Sequence, residues 1–194
     1  MILLLDTDIL IDVALDRSPH AEPAGELLDA LEQHPGIAFI AWHTISNFYY
    51  LVAPTRGRND TKAFLLDLVR FAAVAQTTTE SLRYAAGLQM KDFEDAMQVA
   101  AAVACGAEVI ATRNIRDYAN APRKGCNAQV LVTRVFLVID FCNAPKIKPS
   151  PGRCWRDDGL PSAALHRQDL TLYTLSTSVY DRWLLYIPRL NYNG

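Results

Sequence analysis

The sequence predicts an α/β fold built on a parallel sheet with helices on both faces. Three observations predict it. Short apolar runs of strand length alternate with segments whose apolar residues recur at helical spacing. The first run, Ile2–Leu5, is apolar throughout, as in a strand buried on both faces. That run then ends abruptly on Asp6-Thr7-Asp8, and in an open sheet ligands bind just beyond the carboxyl ends of the strands.

The elements follow in order. After the first strand, Ile9, Leu10, Val13 and Ala14 mark a helix, on which Asp8 and Asp12 read as capping and solubilising residues. Ser18-Pro19 and Pro23 punctuate, and proline is tolerated in the first turn of the helix carrying Leu27, Leu28 and Leu31. His34-Pro35-Gly36 stops that helix, and Ile37–Ala41 is a second strand. Thr44 reads as the cap of a helix bearing Ile45, Phe48, Tyr49 and Val52, followed by a loop over Pro54–Arg58. Asn59-Asp60 reads as the cap of the next helix, whose face is Phe64, Leu65, Leu68 and Val69. A short strand at Val74-Ala75 and a helix around Leu82–Ala86 come next. Asp92–Cys105 is the strongest helical signal: alanine-rich, acidic at its start, closed by Gly106. Acids in a first turn also suit the helix dipole. Val109–Ala111 is a further strand, and Val130–Phe141 reads as an additional one.

Past Pro122 the character changes. Residues 1–122 hold 9 Lys+Arg against 16 Asp+Glu, and residues 123–194 hold 10 against 5. An acidic front half repels a polyanion unless cations screen it, and a basic back half attracts one. The expected organisation is one domain over 1–141 and a proline-rich basic extension over 142–194. Three readings fit the extension: a partly disordered tail, an RNA-gripping appendage in which Arg153, Arg156, Arg167, Arg182 and Arg189 stand beside Trp155, Tyr180, Trp183 and Tyr186, or sequence with no evolved role.

Bulk composition narrows the class. With 51% hydrophobic and 21% charged residues there is core material for independent folding. No apolar run reaches the roughly 18 residues a membrane helix needs. The apolar start is short, with no basic region before it, so a signal peptide is not expected. The expected compartment is the cytoplasm. Cys105, Cys126, Cys142 and Cys154 show no paired spacing and read as structural thiols rather than a zinc site.

The chemistry-bearing pattern is acidic. Asp6 closes a strand, Asp92 and Asp95 share one face of a helix start, and Asn114 and Asp117 share a face if Asn114–Tyr118 is helical. Converging carboxylates repel one another, and a divalent cation stabilises such a cluster. Hard oxygen donors suit Mg²⁺ or Mn²⁺, and Mg²⁺ is often held by one or two carboxylates plus a substrate phosphate. Bland roles compete: Asp92 and Glu94 as helix-start acids, Asp117 as a surface residue beside a core Tyr118, and His43 as a structural histidine. His20, His34 and His166 suggest no partner.

Four pieces in order carry a family resemblance: Leu3-Leu4-Leu5-Asp6-Thr7-Asp8-Ile9-Leu10, Ser46-Asn47-Phe48-Tyr49-Tyr50, Asp92-Phe93-Glu94-Asp95-Ala96, and Thr112-Arg113-Asn114 through Asp117-Tyr118. Over residues 1–122 the chain resembles PIN-domain ribonucleases, and within them the branch of VapC-type toxins from toxin–antitoxin pairs. The resemblance implies a Rossmann-like sheet and a cleft lined by acids. It implies Mg²⁺- or Mn²⁺-dependent cleavage of RNA, with Asp6, Asp95 and Asp117 on the metal. Asn114 and Asn47 join the catalytic set, and Asp92, Thr7 and Thr112 support it. It also implies an antitoxin partner and a homodimer; no membrane association is expected, given the lack of a membrane-length apolar run. Asn47 stands where the family carries a glutamate, so one negative charge is missing from that position.

Two other readings compete. Asp6-Thr7-Asp8 also fits the opening of a haloacid-dehalogenase-like phosphatase, with Asp6 as nucleophile and Asp8 as general acid. That chemistry needs a suitably placed lysine and a later acidic pair, whereas Lys91 precedes Thr112 and Asp157-Asp158 follows no clean strand. A catalytically inactive RNA- or protein-binding module is the other alternative, motivated by Asn47 and the unusual tail.

Overall fold

The computed structural model describes residues 1–132 and Ser178. Five short strands, β1 (Leu3–Leu5), β2 (Ala38–Ile40), β3 (Ala72–Val74), β4 (Val109–Ala111) and β5 (Lys124–Cys126), form one sheet in the order β3-β2-β1-β4-β5. Every pairing is parallel. The central strand β1 pairs Leu3 with Ala38 on one side and with Val109 on the other. Chain order therefore runs away from β1 in both directions, and the crevice beyond β1 and β4 is the switch point of the sheet.

Strand periodicity sorts the apolar residues between two layers. Leu3 and Leu5 enter the larger core, with α1 (Thr7–Ala14), α2 (Ala21–Glu32), α3 (Trp42–Arg56) and α4 (Arg58–Leu68). Leu4 and Ile110 enter the opposite core, under α6 (Phe93–Ala104), which packs with α5 (Thr79–Gly87). All three β1 leucines are fully buried, which accounts for the unbroken apolar run.

Several elements differ from expectation. Thr44 is no cap: α3 starts at Trp42 after an extended Ala41, and Thr44 is fully buried inside the first turn. The expected loop at Pro54–Arg58 is the end of α3 and the start of α4. Pro54 sits in the last turns of α3, and the break falls at Gly57, whose φ of +88° suits glycine. Gly57, not Asn59-Asp60, precedes α4, and Thr61 Oγ1 donates to the Gly57 carbonyl at 2.7 Å. Residues 114–118 form no helix; turns begin at Ile115. The fifth strand is Lys124–Cys126, and residues 128–132 are helical, so the strand expected from Val130 does not begin there. Its remainder, residues 133–141, and the extension over 142–194 lie outside the described residues, Ser178 excepted.

Gly125 explains why β5 escapes a reading by hydrophobicity. A Cβ at this position would stand 2.9 Å from Thr112 Cγ2 and 3.2 Å from Tyr118 Cβ. The strand is specified by close approach to its neighbours, not by apolar side chains.

Candidate active site

Asp6 is where the strand and the first helix meet. It follows β1, its backbone N–H donates to the Ala111 carbonyl at 2.9 Å, and its side chain caps α1 by accepting from Thr7 N at 2.6 Å. The side chain is 8% exposed. Gln98 Nε2, from α6, donates to Asp6 Oδ1 at 3.0 Å and to Thr44 Oγ1 at 2.8 Å. This fully buried glutamine ties β1, α3 and α6 together at the cleft floor.

Asp95 approaches from α6. Its partner is Tyr118, whose ring is fully buried and whose hydroxyl stands 3.1 Å from Asp95 Oδ1 and 3.3 Å from Asp6 Oδ2. The two carboxylates are thus separated by no more than the sum of those distances. A phenol has one proton, so it donates to one carboxylate at a time. Burial, and then the charge of Asp8, push the Asp6 carboxyl up to about 7. Burial raises Asp95 as well, against the Tyr118 hydrogen bond. Burial, with both carboxylates, raises Tyr118, which stays protonated.

A polar cavity of about 420 Å³ opens over these groups. Asp6, Thr7 and Asp8 line it from the start of α1, Asn47 and Leu51 from α3, Glu94 and Asp95 from α6. Arg17, Arg113 and Asn114 complete the polar wall from loops. Four carboxylates therefore face two guanidinium groups. Among the described residues no three His, Cys, Asp or Glu side chains form a closed metal cage. The donor set nevertheless fits a hard divalent cation held by two carboxylates with room for water or phosphate. Buried oxygens without a partner among the described residues point the same way: Thr7 Oγ1 and Asp8 Oδ1.

The residues singled out from sequence are distributed as follows. Asp6, Asp95, Asn47, Asn114 and Thr7 line the cavity. Thr112 is fully buried behind it, accepting from Asn114 N at 3.0 Å. Asp92 caps α6 by accepting from Glu94 N at 2.7 Å, a helix-start role. Asp117 is exposed and lies off the cavity lining; Asn114 Nδ2 donates to it, and its charge reaches Asp95.

Asp8 and Asp12 need correcting. They do not serve to solubilise α1. Asp8 Oδ2 accepts from Arg113 N at 2.9 Å and lies 3.4 Å from Thr112 Oγ1, which docks the loop after β4 onto α1. Asp12 is 1% exposed and pairs with Arg113 Nη1 at 2.8 Å. Burial raises both carboxyls, with Arg113 opposing the shift. His43 is not a satisfied structural histidine: its Nε2 is buried without a partner among the described residues, and burial lowers its pKa.

Sequence reading missed Gln98, Glu94, Arg113 and Arg17 as site residues. Gln98 left a signal: it is the polar interruption of an alanine-rich apolar face, three residues after Asp95. Asp12 left another, an acid inside the stripe Ile9, Leu10 and Val13, four residues after Asp8.

Among the described residues no lysine lines the cavity, although the phosphatase alternative requires one, and its acidic pair Asp157-Asp158 lies outside the described residues. No helix among the described residues is long and apolar enough to cross a membrane. No curated protein matches the chain. The family model of the PIN domain matches residues 3–116, which span the four strands β1 to β4, all four acids of the cavity lining and the loop that carries Arg113 and Asn114. With more than half its length matched and a five-stranded parallel sheet between helices, this chain belongs to the PIN-domain family, whose fold is of the nuclease type.

Proposed function

We propose that this protein is an endoribonuclease dependent on Mg²⁺ or Mn²⁺, and the toxin of a VapC-like toxin–antitoxin pair. The observation that carries the nuclease reading is the convergence of Asp6 and Asp95 on one tyrosine hydroxyl, in an open polar cavity at the switch point of the sheet. In this reading Asp6 and Asp95 hold the cation. When bound, the cation polarises a phosphoryl oxygen and lowers the pKa of a water toward neutrality.

The chain's own residues do the positioning. Gln98 and Thr7 N fix one oxygen of Asp6, which leaves Oδ2 facing Tyr118 and the cleft. Arg113 is drawn toward Asp8 and Asp12, so it anchors Asn114 at the rim rather than acting as a free cation. Asn114 engages Asp117, whose charge adds to the field at Asp95. Arg17, exposed on the cavity wall, offers a positive group to a phosphate. RNA is the proposed substrate, an antitoxin and a second copy of the chain the proposed partners, and the cytoplasm the proposed location. The division into a nuclease domain over 1–141 and an extension over 142–194 belongs to the same proposal.

The test uses mixed RNA, Mn²⁺ and purified protein beside Asp6→Asn and Asp95→Asn variants. Wild type is expected to cleave, and each variant to be inert with an unchanged circular dichroism spectrum. Equal cleavage by wild type and Asp95→Asn contradicts the assignment. A wild type without activity favours the inactive binding module. The toxin assignment predicts that a small DNA-binding protein encoded directly upstream copurifies with the chain and suppresses cleavage.

A further inference from the structure

Glu94 lines the same cavity as Asp6 and Asp95 but has a different local bond. Asn47 Nδ2 donates to Glu94 Oε1 at 2.6 Å, joining α3 to α6 across the mouth of the cleft. Among the described residues no Lys or Arg lies within ion-pair distance of Glu94. Burial lowers the pKa of His43, with the charge of Glu94 opposing the shift. Glu94 precedes Asp95 in the first turn of α6. Glu94 and Asp95 thus place two adjacent carboxylates on the same cavity wall, facing Asp6. Thr7 independently points to such a ligand: it is 7% exposed, lines the cavity, and its hydroxyl oxygen is buried without a partner among the described residues. Buried polar atoms left in this state are rare.

Resting on the metal-dependent reading above, we propose that Glu94 is the further carboxylate acting on the cation held by Asp6 and Asp95, and that Asn47 is its positioning residue. Glu94 then supplies a negative charge from α6, one residue before Asp95, on the side of the cleft that Asn47 faces. Asn47 contributes as a donor that fixes the glutamate, not as an acid. Glu94 lies on the wall rather than in a closed cage, so it acts through its charge and through hydrogen bonds to water in the cleft.

The test is Mn²⁺ binding to the full chain, followed by electron paramagnetic resonance of free Mn²⁺ and by calorimetry, without RNA. Glu94→Gln is expected to weaken Mn²⁺ binding about tenfold or more, the range for groups that tune a metal site. Asn47→Ala is expected to weaken it less, and to have no further effect in a Glu94→Gln background. Asn47→Glu in that background is expected to recover most of the affinity, because it returns a carboxylate to the cleft. Unchanged affinity in Glu94→Gln, while Asp95→Asn loses binding, overturns this inference alone. Unchanged affinity in Asp95→Asn overturns the metal-site reading beneath it. Additive losses for Asn47→Ala and Glu94→Gln overturn the positioning role.

Discussion

Replacing Asp6 by asparagine is expected to make the metal-free protein more stable at alkaline pH, although the same change removes a proposed metal ligand. The magnitude follows from the site. The Asp6 carboxyl rises from its ordinary 3.8 to about 7 because it is buried beside Asp8. Each pKa unit corresponds to about 1.4 kcal/mol, so ionising Asp6 in the fold costs ~4 kcal/mol relative to the unfolded chain. The sign is set by proton binding. Between pH 3.8 and about 7 the folded state holds a proton that the unfolded state has released. Stability therefore falls as pH rises through that window, and stays low above it. Asp8 and Asp95 are shifted in the same direction and steepen the fall. Asparagine keeps the shape, can still accept from Thr7 N and Gln98, and can donate to the Tyr118 oxygen. The assay is thermal unfolding in EDTA from pH 5 to pH 8. Wild type is expected to lose stability across the range, and Asp6→Asn to melt roughly 10 °C higher than wild type at pH 8. Near pH 5, inside the window, the gap is expected to shrink to roughly 4 °C, and it closes only below pH 3.8. Mn²⁺ is expected to stabilise wild type at pH 8 and to leave Asp6→Asn almost unmoved. A wild-type profile flat in pH, or an Asp6→Asn variant less stable than wild type at pH 8, would refute the reasoning.

The remaining predictions concern the frame of the site. Arg113→Met strands the buried Asp12 carboxylate and is expected to cost about 2–3 kcal/mol in urea unfolding, reduced from the fully buried case because Arg113 is 39% exposed. Adding Asp12→Asn is expected to recover most of that loss; a double variant no better than the single one would show that the ion pair is not the cause. Gly125→Ala places a methyl group 2.9 Å from Thr112 Cγ2 and is expected to destabilise by about 1–3 kcal/mol, whereas unchanged unfolding would mean that β5 shifts freely.

How much of this was legible in the sequence depends on which force specifies each part. β1 and β4 were readable because they are buried on both faces, so their residues are apolar without interruption. The acids at strand and helix ends were readable because an open sheet places such positions at its mouth. Gly125 and β5 were not, since a strand defined by the proximity of Thr112 and Tyr118 carries no apolar pattern. Pro54 misled for a related reason: proline in the last turns of α3 resembles a breaker, while the stop belongs to Gly57 and its positive φ. At the site, Asp8 and Asp12 follow Asp6 at intervals that suit an exposed helix face. Only their long-range partner Arg113, a hundred residues away, shows that Asp12 is buried and Asp8 half-buried. Gln98 and Tyr118 were hidden similarly, because their partners come from other elements. Glu94 sat inside a quoted motif, yet its pairing with Asn47 required the approach of α3 to α6.

The central claim is that Asp6 and Asp95 serve one cation. Anomalous scattering from a crystal of the wild-type chain grown with Mn²⁺ tests it most directly. The expected result is a single strong peak within bonding distance of a carboxylate oxygen from each residue, with the Tyr118 hydroxyl displaced from at least one of them. A peak elsewhere, or an undisturbed tyrosine bridge at saturating Mn²⁺, would contradict it.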